Sequence, residues 1–181
     1  MKSIVRVILP MWLYRRLARL YAYLLAWREG PAFLWVMTFG SGEHTHQFRA
    51  LRMPFTFRLT SEDKLVVFGN IIKGEVLEGP LPPEARFIVD AGGYIGDSAA
   101  VFLSLYPDST CSVFEPSSNA DLAEQNLKPY GTRAAVRRAM LGRDHGQFQI
   151  FEVGTGSRVF AADSGGGQLQ VSTMDEVLRQ S

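Results

Sequence analysis

Apolar residues recur at three-to-four spacing near the start of the chain. Leu13, Leu17, Leu20 and Leu24 follow one face, while Arg15, Arg19 and Ala22 fall on another. That rhythm predicts an amphipathic helix over 11–28. Pro10 suits its first turn, and Gly30 and Pro31 stop it. A second apolar run, AFLWVMTF (32–39), ends at Gly40, and the polar GSGEHTHQFR (40–49) reads as a loop. FTFRLT (55–60) and KLVVFG (64–69) are rich in strand formers and predict a hairpin around Ser61, Glu62 and Asp63. GPLPPEA (79–85) is a rigid connector.

From Arg86 the pattern alternates. It predicts a buried strand at 87–89, a helix at 98–106 closed by Pro107, and a strand at 111–115 cut by Pro116. A helix from Ser118 to Lys128 follows, opened by Ser118 and Asp121 in a capping-box-like arrangement. A third strand spans 134–139. Strand, helix, strand, helix, strand describes two βαβ units and a parallel sheet. Beyond it QFQIFEV (147–153) alternates like a half-exposed strand, with SRVFA and QLQVS as candidate partners. Thr173 and Glu176 form a capping box opening a helix at MDEVL.

Length changes this picture little. With 181 residues, 46% of them hydrophobic, the chain suits one α/β domain carrying an extension. The division is placed at 1–54, a helical extension and loop, and 55–181. The formal net charge of +1 gives no bulk attraction to nucleic acid. Cys111 is the single cysteine, so there is no disulfide framework, and its apolar surroundings predict an inert thiol. No apolar run reaches the roughly 18 residues that span a bilayer, and a reducing cytoplasm is the expected compartment. Helix 11–28 keeps two readings: an extension packed on the domain, or a basic amphipathic helix in peripheral contact with a membrane. His44 and His46, beside Glu43, lack a third distant ligand, so no metal site is assigned. His145 lies in a turn-like GRDHGQ and is a poor candidate base.

The chemistry concentrates at RFIVDAGGYIGDSAAVF (86–102). Gly92, Gly93 and Gly96 follow a strand and feed a helix, a geometry that brings backbone close to a ligand. A dinucleotide fingerprint needs glycines at n, n+2 and n+5, and Tyr94 stands at the second of these positions. No Gly-Lys-Ser/Thr follows, which disfavours a P-loop. Asp90 at the strand end would repel a pyrophosphate and attract a cation. Glu115 ends the next strand, where a carboxylate reaches ribose hydroxyls. A nucleoside with an ammonium at its other end fits both acids, and S-adenosylmethionine is such a molecule.

FIVDAGGYIGDSA resembles the V-D-x-G-A-N-x-G motif of the FkbM-type S-adenosylmethionine-dependent methyltransferases. VFEPSSNADLAEQNL is similar to that family's F-E-P-x-P segment and following helix, and LQVSTMDEVL to its V-x-T-L-D-x-L segment. EDKLVVFGNIIKGEVLEG stands where the family has its lead-in. The resemblance spans about 55–181. It implies a Rossmann-like class I methyltransferase sheet with Asp90, Gly92 and Gly93 at the methionine end of the cofactor. Gly96 and Asp97 would open the helix beside it, Glu115 would take the ribose, and Ala139 and Met140 would lie near the adenine. It also implies O-methylation of a hydroxyl on a glycan or secondary metabolite. Gly93 replaces the usual Ala, a mild change on paper, and Tyr94 replaces the usual Asn.

The family's K-I-D-x-E-G segment and last strands have no counterpart after VSTMDEVL. The sheet is therefore expected to be incomplete at its C-terminal side, leaving the strand of Asp90 with an open edge available for self-association. The crossover helix at MDEVL is expected to be marginal. No catalytic base is assigned. The alternative function is a non-catalytic or decayed nucleoside-binding module that keeps the cofactor half.

Overall fold

A computed structural model describes residues 11–142, 148–151, 158–161 and 171–180. The chain divides into two compact units, Met1–Ser41 and Gly42–Ser181. The first holds helices α1 (Met11–Arg28) and α2 (Pro31–Phe39), joined at Gly30, whose φ of 114° reverses the chain. The expected helix over 11–28 is present, and the apolar run after Pro31 is helical too.

The second unit opens with a hairpin that differs from the expected one. Strand β1 (Glu43–His46) pairs antiparallel with β2 (Phe55–Arg58). The segment read as a loop in the extension is thus a strand of the second unit. KLVVFG, read as a strand, is helical instead: α3 (Ser61–Val66) runs into a π-helical stretch, Val67–Ile72. The reason lies at Thr60, whose side chain accepts the Asp63 N–H and caps the helix. Helical winding then puts Asp63, Val67 and Ile71 inside. A cap and a four-residue burial period outweigh the β-propensity of Val and Phe.

The expected alternation from Arg86 onward is present. Strands β3 (Phe87–Ala91), β4 (Thr110–Phe114) and β5 (Ala134–Arg137) form a parallel sheet in the order β3-β4-β5. Helices α4 (Asp97–Leu105) and α5 (Asn119–Leu127) connect them. Alternation of side chains puts Phe87, Val89 and Phe114 on one face and Asp90, Cys111 and Val113 on the other. Asp90 therefore points to the side where α4 packs against β3 and β4. Buried Ala99, Ala100 and Leu103 of α4 and Ala123 of α5 leave room for close packing there. Among the described residues β3 pairs with β4 alone.

Strand β6 (Met140–Gly142) pairs in parallel with β9 (Val171–Thr173), while β7 (Phe148–Phe151) and β8 (Arg158–Ala161) form an antiparallel ribbon. Within the described residues the expected partnership of 147–153 with SRVFA is seen as β7 with β8, whereas Val171 and Ser172, the end of QLQVS, pair with β6. Helix α6 (Met174–Gln180) carries the predicted capping box. Thr173 donates its N–H to Glu176 Oε2 at 2.9 Å, and Glu176 N–H donates back to Thr173 Oγ1 at 3.4 Å. The helix was expected to be marginal, but it is anchored: Val177 is buried with Phe114 and Ala139, and Phe87, Val89 and Leu141 pack around them. His145 and the GTG and SGGG connections lie outside the described residues.

Candidate ligand site at the glycine loop

The end of β3, the glycine loop and the end of β4 meet at one place. Gly92 and Gly93 both donate their N–H groups to the Phe114 carbonyl, at 2.8 and 3.2 Å. This fixes the loop across the top of β4. Gly92 has φ 79° and a Cβ there would meet open space, so its backbone is bare on the outer side. Gly93 is a glycine for a different reason. A Cβ at 93 would lie 2.1 Å from Val113 Cγ1 and 3.3 Å from Asp90 Oδ2. The exchange of Ala for Gly that looked mild in the sequence is required by the short, stiff Val113 beneath it.

Asp90 is held under this loop. Ser98 Oγ donates to its Oδ2 at 2.6 Å, and the Ala99 N–H also points to it. The carboxylate thus satisfies the first turn of α4 from outside the helix. Burial raises its pKa, the Ser98 and Ala99 hydrogen bonds oppose that, and the charge of Glu115 adds to it. Asp97 opens α4, is 2% exposed and accepts from Asn70 Nδ2 at 2.6 Å. Burial pushes its carboxyl up to about 6, with the charges of Asp90 and Asp63 contributing.

Glu115 follows β4 and is 5% exposed. Its Oε2 accepts the Tyr94 N–H and its Oε1 the Ser117 N–H, both at 2.9 Å, with the Ser117 hydroxyl also on Oε1. Both oxygens are engaged, although a carboxylate oxygen has a second lone pair for a ribose hydroxyl.

Tyr94 is the non-glycine residue of the loop with a left-handed backbone, φ 48°. That conformation costs a side-chain-bearing residue energy, and three contacts of the residue offset it. Besides its N–H to Glu115, its hydroxyl donates to Asp63 Oδ1 at 2.6 Å. Its ring lies under the Arg58 guanidinium, 5.9 Å from centroid to Cζ. Arg58 in turn holds Asp63 with two side-chain bonds, Nε to Oδ2 at 2.9 Å and Nη2 to Oδ1 at 3.0 Å, and reaches Asn119 Oδ1 at 2.7 Å. Asp63 is 0% exposed. Burial would raise its pKa, but the bonds from Arg58 and Tyr94 win and keep the carboxyl below its usual range. Burial and the Asp63 charge push the Tyr94 hydroxyl well above the usual phenol range.

The sequence matches no family model and no curated protein.

Of the residues singled out in the sequence, Asp90, Gly92, Gly93, Gly96, Asp97 and Glu115 converge on this loop. Gly96, with φ 82°, packs its α-carbon against Leu127 and Ala123 of α5, where a Cβ would come within 3.2 Å of Leu127. Ala139 and Met140 come just after β5, whose Arg137 carbonyl accepts the Glu115 N–H. Ala139 is buried beside Phe114 and Val177, and Met140 begins β6 opposite Val171. His44 and His46 lie in β1 with rings 6.0 Å apart, edge-on to Phe57 and Phe48, respectively. Among the described residues no three His, Cys, Asp or Glu side chains are grouped to hold a metal ion. Burial pushes the Cys111 thiol up to about 12, as expected for an inert thiol.

The sequence reading missed Arg58, Asp63, Asn70 and Ser117. One signal was available: Thr60-Ser-Glu-Asp63 is a helix-start pattern with an acid at its third position. It puts Asp63 on the inner turn of a helix, where its charge needs a partner. Its charge partner is Arg58, five residues away, and its second partner, the Tyr94 hydroxyl at a separation of 31 residues, is a tertiary fact.

The charge of Glu115 acts on Asp90, and the charges of Asp90 and Asp63 act on Asp97, while Arg58 is committed to Asp63. A site with this charge balance disfavours pyrophosphate and favours a sulfonium or ammonium group.

Proposed function

We propose that this chain binds S-adenosylmethionine at the glycine loop and acts as a methyltransferase on a hydroxyl acceptor, of the glycan or secondary-metabolite kind that FkbM-type enzymes use. One observation carries the reading: Asp90 and Glu115 stand at the ends of adjacent parallel strands, with the bare backbone of Gly92 between them. In open parallel sheets this is the ligand-binding end. The motif resemblance supplies the cofactor's identity.

When bound, the cofactor supplies an activated methyl group for direct displacement by an oxygen nucleophile. The chain's contribution is to bind and orient. The negative surroundings of Asp90 stabilise a cationic methionine end, and Glu115 offers its remaining lone pairs to ribose. Gly92 lets the ligand approach the backbone. Tyr94, braced by Asp63, fixes the loop that carries these groups. We assign no proton acceptor, and an alcohol nucleophile would need one.

A second reading is a nucleoside-binding module without turnover. It would use the same Asp90, Gly92 and Glu115 site and differ from the first reading only in lacking methyl transfer.

Isothermal titration of the full chain with S-adenosylmethionine, S-adenosylhomocysteine and NAD tests the binding. The proposal expects saturable binding of the first two and none of NAD. NAD binding alone, or no binding of any of the three, overturns it. Methyl transfer to hydroxyl acceptors then separates the enzyme from the module.

A further inference from the structure

The first unit exposes an apolar stripe. Leu17, Leu20, Tyr21, Leu24 and Trp27 follow helical spacing along α1, and all are exposed, Leu24 at 59% and Trp27 at 58%. On α2, Trp35 and Phe39 repeat the pattern one turn apart, at 62% and 72% exposure, with ring centroids 6.1 Å apart. Scattered exposed hydrophobics are ordinary, whereas a run of aromatic and leucine side chains marks an interaction surface.

The charge is as unevenly divided as the apolar surface. Residues 1–41 contain six basic side chains against one acid, Glu29, a net charge of +5. Residues 42–181 contain 13 basic and 17 acidic side chains, a net charge of −4. The overall +1 hides this asymmetry. A second copy would bring two +5 units together, which opposes self-association through this surface. An anionic surface of low polarity satisfies both features at once.

We propose that α1 and α2 form a docking surface for an anionic lipid bilayer, lying in the interface with leucine and aromatic side chains among the acyl chains. No described helix is long and apolar enough to cross a membrane, so the contact is one of lying on it. Tyr21, Trp27 and Trp35 have amphipathic rings suited to the headgroup boundary. The six basic residues draw the unit to anionic headgroups, each adding to the attraction near the surface. This inference is independent of what the glycine loop binds.

The chain reports on itself. All three tryptophans, Trp12, Trp27 and Trp35, lie within residues 1–41, so intrinsic tryptophan fluorescence reads this unit alone. Full-length protein is mixed with phosphatidylcholine vesicles, with or without about 30% phosphatidylserine, at physiological ionic strength. The expected result is co-flotation with the anionic vesicles, a blue-shifted emission and quenching by brominated acyl chains. Raising the salt should release the protein. Leu20→Glu and Leu24→Glu together should lower partitioning about tenfold or more, since each leucine loses its burial in lipid. Both positions are exposed, and circular dichroism confirms that the helix content is kept. Absence of flotation and of any spectral shift overturns the proposal. So does equal binding of the native and doubly substituted chains, or concentration-dependent self-association that consumes the surface and excludes vesicles.

Discussion

The Tyr94 hydroxyl donates to the buried carboxylate of Asp63 at 2.6 Å, while the Tyr94 N–H donates to Glu115. One residue therefore ties the lead-in helix to the loop over β3 and to the acid at the end of β4. Tyr94→Phe removes the first tie and leaves the second. It should destabilise the fold by about 1.5–3 kcal/mol, the range for a hydrogen bond to a charged group. Urea denaturation measures the change. A value near zero would mean that the ring and Arg58 alone hold the loop.

Asp63→Asn tests the other side of the same pair. It keeps the shape but leaves Arg58 without its charge partner, with the Arg58 side chain 35% exposed and that of Asp63 0%. Removing one member of a buried pair costs about 3–5 kcal/mol. The partial exposure of Arg58 puts the expectation at the lower end of that range, to be read in the same denaturation experiment. The loss should exceed that of Tyr94→Phe.

Gly93→Ala should be disruptive because of Val113. A methyl group 2.1 Å from Val113 Cγ1 cannot be accommodated without movement of β4 or of the loop. Overpacking of this kind costs about 1–3 kcal/mol. Val113→Ala in the same chain removes the clash at the cost of a small cavity. The double variant should therefore be more stable than the two single losses added together. Simple additivity in thermal unfolding would contradict this account of Gly93.

Asp97 gives a pH dependence of definite sign. Burial is the chief cause that raises its folded pKa to about 6 from the ordinary value of 3.8. The folded state then holds the proton more tightly than the unfolded state. The stability associated with it is full below the unfolded value and declines as pH rises through about 6. Asp97→Asn can still accept from Asn70 and carries no charge to bury. Its melting temperature should gain on that of the native chain between pH 4 and pH 7, by an amount corresponding to about 1–3 kcal/mol. A parallel pair of melting curves across this window would contradict the assignment.

These cases show which parts of the structure sequence patterns reach. The β3-α4-β4-α5-β5 alternation was legible because buried parallel strands are short apolar runs punctuated by Gly and Pro. The Thr173–Glu176 cap was legible because both of its halves lie within four residues. Strand β1 was not, since Glu-His-Thr-His has the composition of a loop and is a strand only through pairing with Phe55–Arg58. KLVVFG is helical despite its β-propensity because the Thr60 cap starts the helix that runs into it. At the loop, Asp90, the glycines and Glu115 were found from spacing alone. Asp63 and Arg58 were not, because their significance depends on Tyr94, and that contact forms only when the lead-in folds over the loop. Ala139 and Met140 were placed by family resemblance. The packing of Ala139 beside Val177 could not be anticipated from that motif.

The most direct test is calorimetric titration of S-adenosylmethionine into the native chain and into Asp90→Ala and Glu115→Ala. Circular dichroism on each variant establishes that the fold is retained. The predicted result is saturable binding to the native chain that weakens at least about tenfold in each variant, the loss expected when a charged hydrogen-bonding partner is removed. Undiminished affinity in folded Asp90→Ala and Glu115→Ala, or no binding to the native chain, would contradict the assignment of the glycine loop as the cofactor site.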